Sequence, residues 1–293
     1  MAGQGGRGTG LPLEPAPVSR RSRILDLGDG RGGVAIAVVS TLLVFGALVL
    51  LVTHAPGWPE VKKTFFDRGE FKDSFPEIAH AFKLNVKIFC IAEVFILAIA
   101  LLLAVLRSLP GPVFFPLRLI AIVYADFFRG VPTILVIAVL GFGAPALALQ
   151  GIPTSTTFWG IVALVLVYTA YVSEVYRAGI DSVHPSQEAA ARSLGLTRFQ
   201  GLRHVILPQA VRRVIPPLLN DFIGLQKDTA LVGFLGAIEA FNQSQIDAAA
   251  TFNYTPYLAA AVLFVAITIP LARFTDWLVL RDRRRRQASG VAA

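Results

Sequence analysis

The order of apolar and polar positions divides the chain into long, nearly uncharged stretches separated by polar segments. A helix needs about 20 apolar residues to cross roughly 30 Å of hydrocarbon. Val34 to Thr53 meets that requirement without a charged residue, and Leu84 to Leu106, Val131 to Leu149 and Phe158 to Val172 follow as further spans. A last one runs from Tyr257 to Leu280, apolar as far as Pro270 and then interrupted by Arg273 and Asp276. Between them, Ala230 to Phe241 offers only roughly 18 Å of helix and cannot cross alone. Extending it back to Ile215 supplies the length but admits Asn220, Asp221, Lys227 and Asp228. Such groups are tolerated at depth only when they face protein or water. This fifth helix therefore either lines a pathway through the protein or holds Lys227 and Asp228 as a charge pair at its cytoplasmic end. The pattern predicts an all-α integral membrane protein with about six transmembrane helices.

Composition agrees with that pattern, since 55% of residues are hydrophobic and only 16% charged, against about a quarter charged in soluble domains. The net charge of +8 and the tail Arg281-Asp282-Arg283-Arg284-Arg285-Arg286 would also suit a nucleic-acid partner. Basic residues beside apolar spans have a simpler reason, because they stay in the cytoplasm during insertion, and no nucleic-acid partner is expected. Arg20, Arg21, Arg23 and Arg31 precede the first span, and Arg107, Arg118 and Arg129 lie between the second and third. Arg177, Arg192, Arg198, Arg203, Arg212 and Arg213 follow the fourth, while the segments Ala144 to Thr157 and Ala240 to Pro256 hold no Lys or Arg. Both termini are thus expected in the cytoplasm of a multi-pass protein of the cell membrane. The stretch His54 to Lys83, placed outside, mixes Lys62, Lys63, Arg68 and Lys72 with Glu60, Asp67, Glu70 and Asp73. Residues 1–31, rich in Gly, Pro and Arg, read as a disordered cytosolic tail, and 282–293 as a basic cytosolic tail. Cys90 is the single cysteine, and His54, His80, His184 and His204 lack the spacing that places two imidazoles on one metal, so no metal site is expected. Glu93 and Lys87, within the second span, read as polar packing against a neighbouring helix.

The most structured polar segment lies between the fourth and fifth spans. Pro185 suits the first turn of a helix, Gln187 to Leu194 is rich in alanine, and Gly195 is placed to end it. Thr197 then caps a second helix, Arg198 to Val205, whose Phe199, Leu202 and Val205 recur at helical spacing before Pro208 stops it. The result is a helical hairpin under the membrane. The run Ala189-Ala190-Ala191 would let a partner's backbone approach closely; the alternative is an amphipathic hairpin resting on lipid headgroups. Just before it, Glu174 and Arg177 stand three residues apart and either brace the junction between span and hairpin or act separately, as a solvated acid and an anchoring base.

Ala189-Ala190-Ala191, three residues, Gly195, nine residues, Val205 and then Leu207-Pro208 resembles the cytoplasmic loop of permease subunits in binding-protein-dependent ABC importers. Phe128-Arg129-Gly130-Val131-Pro132, the block from Ala170 to Ile180, Leu207-Pro208-Gln209-Ala210, Asn220 and Lys227-Asp228-Thr229 occur in the order of the polar amino acid branch, over about residues 78–281. Two positions depart from that pattern: Ala189 stands where the family usually has Glu, with Glu188 one place earlier, and Ser186 stands where Gly is usual. A one-residue shift turns a side chain by about 100°. The family core has five spans, so residues 32–77 read as an added helix and an external loop.

The resemblance implies that Ser186, Gln187, Glu188, Ala189, Ala190, Ala191, Gly195, Leu207 and Pro208 form a coupling hairpin seated on a separate ABC ATP-binding subunit. It also implies a second permease subunit, an extracytoplasmic substrate-binding protein and an amino acid substrate. Glu174, Arg177, Asn220, Lys227, Asp228 and Thr229 are then candidates for the translocation path or for structural charge. This chain has no GxxxxGK[ST] loop, so ATP and Mg are expected on the partner, with no cofactor and no catalytic residue on this chain. The competing function is an ion-coupled secondary transporter of small polar solutes, which would use intramembrane charges but give the hairpin no purpose.

Overall fold

The computed structural model describes residues 31–109, 111–148 and 150–288. The tail read from residues 1–31 lies outside these except for its last residue, and so does the end of the basic tail. The chain divides into two units, one ending at Val61 and the other beginning at Lys62. In the first unit, helix α1 (Arg31–Thr53) leaves every side chain from Val34 to Val52 exposed. A helix apolar on all faces is one whose surroundings are lipid. Helix α2 (Trp58–Phe65) lies across the boundary between units.

The second unit is a helical bundle, and no strand occurs among the described residues. Its longest inner element is α3 (Arg68–Ser108), started by Asp67, whose carboxylate accepts from Gly69 N at 2.7 Å and Glu70 N at 3.2 Å. The second predicted span lies wholly within it. Ile88, Ala92, Ile96, Ala100 and Ala104 recur every fourth residue and are buried. Alternating large and small side chains on one stripe let a neighbour come close, the usual way helices pack in lipid. That neighbour is α6 (Thr156–Asp181), capped by Ser155 Oγ accepting from Phe158 N at 3.3 Å and presenting Ala163, Leu164, Val167 and Val172 to the same core. This fourth span extends well past Val172, which keeps Glu174 and Arg177 on the helix.

Two spans differ from the prediction. The third begins earlier, as α4 (Phe115–Gly130), in a stretch read as a cytoplasmic connection, then bends by 100° into α5 (Thr133–Ala146). Pro132 is the reason: its ring pushes the preceding residue out of the helical region, and Val131 is extended, with φ −97° and ψ 131°. The fifth is α9 (Leu207–Asp228), followed by a 3-10 segment (Thr229–Leu235) rather than a continued α-helix through Phe241. Gly236, at φ 84°, ends it in the left-handed conformation that only glycine adopts freely. The segment Ala240 to Pro256, read as a loop, contains α10 (Ala240–Thr251). The sixth span is α11 (Thr255–Ala288).

Glycines make the tightest helix crossings. A Cβ on Gly141 would fall inside Leu235, and one on Gly179 inside Val214. A smaller cluster of Ile78, Phe82, Ala240, Ala259 and Ala260 joins the start of α3 to α10 and α11. There, Tyr254 N donates to Thr64 O at 2.8 Å and Asp67 N to Thr255 Oγ1 at 3.1 Å.

Candidate functional site

The hairpin forms as the sequence predicts, with one difference. Its first arm, α7 (Pro185–Ser193), starts at His184, whose Nδ1 accepts from Ser186 N at 3.2 Å. It ends in paired reverse bonds: Leu196 N donates to Ala191 O at 3.2 Å and Gly195 N to Arg192 O at 2.9 Å, with Gly195 at φ 78°. This is the geometry that terminates a helix at a left-handed glycine. Thr197 and Gln200 then bond reciprocally, Gln200 N to Thr197 Oγ1 at 3.3 Å and Thr197 N to Gln200 Oε1 at 2.9 Å, which starts α8 (Arg198–Gly201).

Pro208 does not stop the second arm. A π-helical turn (Leu202–Ile206), with Leu207 N donating to Leu202 O, carries the chain directly into α9. Pro208 falls in the first turn of α9, where its fixed φ suits a helix. The hairpin is therefore continuous with the fifth span, and Gln209 ties it to the first arm by donating to Gln187 Oε1 at 3.3 Å.

The predicted contact residues divide between the two sides of the hairpin. Ala191 is buried under Gly201, whose added Cβ would meet the Ala191 Cβ at 3.4 Å. Ser186, Gln187, Ala189, Ala190, Gly195, Leu207 and Pro208 are exposed. Glu188 pairs with Arg192 one turn along its own helix. Leu194 is 80% exposed and Phe199 67%, an apolar tip that no described residue covers.

At the junction of bundle and hairpin, Glu174 is held from two helices. Arg177 donates to Glu174 Oε2 through Nη2 at 2.7 Å and Nε at 3.1 Å, and Arg107, at the end of α3, donates to Oε1. Arg177 also reaches Asp181 at 2.9 Å. Of the two arrangements the spacing allows, the i, i+3 pair is the one present. The third member, Arg107, was countable in the sequence only as a loop charge, because 67 residues separate it from Glu174. Beside the clamp lies a cleft of about 370 Å³ lined by Glu174, Val175, Ala178, Gly179, Ser182 and Arg213 among others. Arg213 donates to the Ser182 carbonyl across it.

The polar positions of the fifth span go to different places. Asn220 and Lys227 are exposed. Asp228 does not form the surface pair considered above; its Oδ2 accepts from the Tyr168 hydroxyl of α6 at 3.0 Å. Thr229 is fully buried in a network that the sequence reading missed. Asn85 Nδ2 donates to Thr229 Oγ1 at 3.1 Å and to Glu239 Oε2 at 2.8 Å, while Asn85 Oδ1 accepts from Ala240 N at 3.0 Å. Glu239 also accepts from Phe241 N at 2.9 Å and Asn242 N at 2.8 Å, and so caps α10. The available signals were an amide among the first residues of the second span and an acid at the end of the apolar stretch Ala230 to Phe241. Glu93 is half-buried and Lys87 exposed. No group of three or more metal-ligating side chains occurs among the described residues.

A lipid-embedded bundle with a broken inner helix, and a helical hairpin rigidly continuous with one span, defines a membrane transport component. The chain belongs to the family described as binding-protein-dependent transport system inner membrane component, whose model matches residues 96–284. A probable amino-acid permease protein, YxeN, of Bacillus subtilis is 35% identical over 197 residues, covering 67% of this chain and 87% of the relative. A probable glutamine ABC transporter permease protein, GlnM, of the same organism is 35% identical over 201 residues, covering 68% and 88%. Among solved structures, one of an amino acid ABC transporter with histidines matches with TM-score 0.66 and 29% identity, over 74% of this chain and 98% of the other. The MetNI methionine ABC transporter matches in fold, with TM-score 0.56 at 19% identity, over 70% and 95%.

Proposed function

We propose that this permease forms the membrane path for a polar amino acid in an ATP-driven importer, and that the hairpin from Ser186 to Pro208 transmits motion from a separate ATP-binding subunit. The observation that carries the reading is the build of the hairpin: a fixed glycine corner and a reciprocal cap between its arms, an uncovered apolar tip, and an unbroken helical path into α9. Such an element moves as a body when a partner grips its tip, and it moves α9 with it. ATP and Mg belong to the partner, consistent with a chain that has no phosphate-binding loop. The relatives named as amino-acid and glutamine permeases support an amino acid substrate. A second permease subunit completes the path, and an extracytoplasmic binding protein delivers the substrate. The arginines on the hairpin side support a cytoplasmic location for that side and for both termini.

Transport then proceeds by alternating access, with no covalent chemistry on this chain. The test is amino acid uptake by proteoliposomes with and without the cognate ATP-binding subunit. Uptake should require that subunit and ATP. Uptake that persists without it and collapses when ion gradients are dissipated would instead establish a secondary transporter.

A further inference from the structure

Helix α11 is longer than a span requires: its 34 residues rise about 51 Å, against roughly 30 Å of hydrocarbon. Two aromatic pairs mark where lipid begins and ends along it. Tyr254 and Tyr257 stack at its start, with centroids 6.2 Å apart. Phe274 and Trp277 stack at 5.9 Å near its other end, both half exposed. Tyr257 and Trp277 lie about 30 Å apart along a helix, the hydrocarbon thickness, and such rings favour the headgroup level on either side.

Beyond Trp277 the helix therefore leaves the hydrocarbon while remaining helical to Ala288. Arg281 lies over the Trp277 ring at 5.0 Å, and Arg281 and Arg284 are exposed. Positions 281–286 hold five arginines and one aspartate, about 6 to 14 Å beyond Trp277 along the axis. The headgroup layer occupies about 5 to 8 Å on each side, so this stretch begins at the level of the lipid phosphates. Five arginines within six positions make this stretch of the chain strongly basic.

We infer that this basic collar binds anionic lipid headgroups and enriches anionic lipid around α11, whatever solute the protein carries. Guanidinium groups match phosphate oxygens in a two-point fit. Each cationic residue near an anionic surface favours it by about fivefold. An acidic patch on a protein partner is the competing occupant, but Arg281 stands at phosphate level and the long arginine side chains that follow can reach back to it, so lipid is the nearest source of negative charge.

The test uses the full chain in lipid nanodiscs with Trp58→Phe and Trp159→Phe, which leaves Trp277 as the reporter. Brominated phosphatidylglycerol should quench it at about fivefold lower mole fraction, or less, than brominated phosphatidylcholine. Replacing Arg281, Arg283, Arg284, Arg285 and Arg286 together by Gln should abolish the preference, and replacing them by Lys should retain most of it. Equal quenching by the two lipids in the parent protein, or an unchanged preference in the Gln variant, would overturn the inference. So would equal quenching combined with loss of the copurifying ATP-binding subunit from the Gln variant, which would make the collar a protein-docking surface.

Discussion

Glu174 receives two arginines, and the two are not equivalent. The Arg107 side chain is 11% exposed and that of Glu174 16%, whereas that of Arg177 is 43% exposed and shared with Asp181. Removing Glu174 leaves Arg107 nearly dry without its counter-charge; removing Arg177 leaves Glu174 with Arg107 and access to water. Glu174→Gln should therefore cost about 1.5–3 kcal/mol, the range for charge-assisted bonds, and Arg177→Gln no more than about 1 kcal/mol. Thermal unfolding in detergent reads the order Glu174→Gln, then Arg107→Gln, then Arg177→Gln, from most to least damaging. A larger loss for Arg177→Gln than for Arg107→Gln would show that the bond along α6, and not the one between α3 and α6, carries the clamp. Glu239 makes a comparable prediction. Both of its oxygens face donors, so even the near-isosteric Glu239→Gln sets an amide N–H against another N–H. A loss of about 1–3 kcal/mol is expected, visible as earlier protease cleavage around residues 236–252.

Two elements owe their shape to single residues. At Gly195 a Cβ would meet nothing within 4 Å, so the cost of substitution there is conformational and not steric crowding. The left-handed backbone at φ 78° disfavours an L side chain by about 1–2 kcal/mol, and a β-branched one at the upper end. Gly195→Val should insert normally and fold its bundle, yet copurify less ATP-binding subunit. Phe199→Ala should weaken the same association by removing part of the apolar tip. Undiminished recovery and full substrate-stimulated hydrolysis with Gly195→Val would sink the coupling assignment. In α10, outside the spans, burial pushes the Asp247 carboxyl above its ordinary range. The Gln243 amide at 2.8 Å pulls it back, while the charges of Glu77 and Glu70 add to the rise. An acid with a raised value holds its proton more tightly folded than unfolded, so its contribution favours folding at low pH and is lost as pH rises through that value. Asp247→Asn should flatten the decline in melting temperature as pH rises above the ordinary aspartate value of about 4; an unchanged slope would assign the decline to other groups.

For the whole molecule, the charge pattern makes a prediction that the bundle by itself does not. With Cys90 replaced, single cysteines near the C-terminus and at Ala189 should be labelled only from the cytoplasmic side, and one at Asp73 only from outside. External labelling of the C-terminal position would overturn the topology. The bundle adds a mechanical expectation, because the clamp at Glu174, the Gly179–Val214 crossing and the Arg213–Ser182 bond all join α6 to its neighbours beside the hairpin. Cross-linking α6 to α9 through cysteines at positions 179 and 214, whose Cβ atoms would stand about 3.4 Å apart, should therefore leave ATP-binding-subunit association intact, since those helices already meet beside the hairpin.

The sequence by itself determined the membrane class, the approximate spans, the hairpin with its glycine corner, and the family. Each rests on local quantities: twenty apolar residues in a row, a proline at a first turn, a glycine after a helical run, a basic segment beside an apolar one. It allowed the Glu174–Arg177 pair, because three residues on a helix fix a distance, but left open whether the two groups pair or act separately. Only the tertiary structure decided that Arg107 completes that clamp and that Asn85 joins Thr229 to Glu239, since partners 67, 144 and 154 residues away leave no periodic trace. The bend at Val131–Pro132, the break at Gly236 and the passage through Pro208 were also left to it. A proline or glycine marks where a helix can turn, but whether it does depends on the neighbours that satisfy the freed backbone groups in lipid.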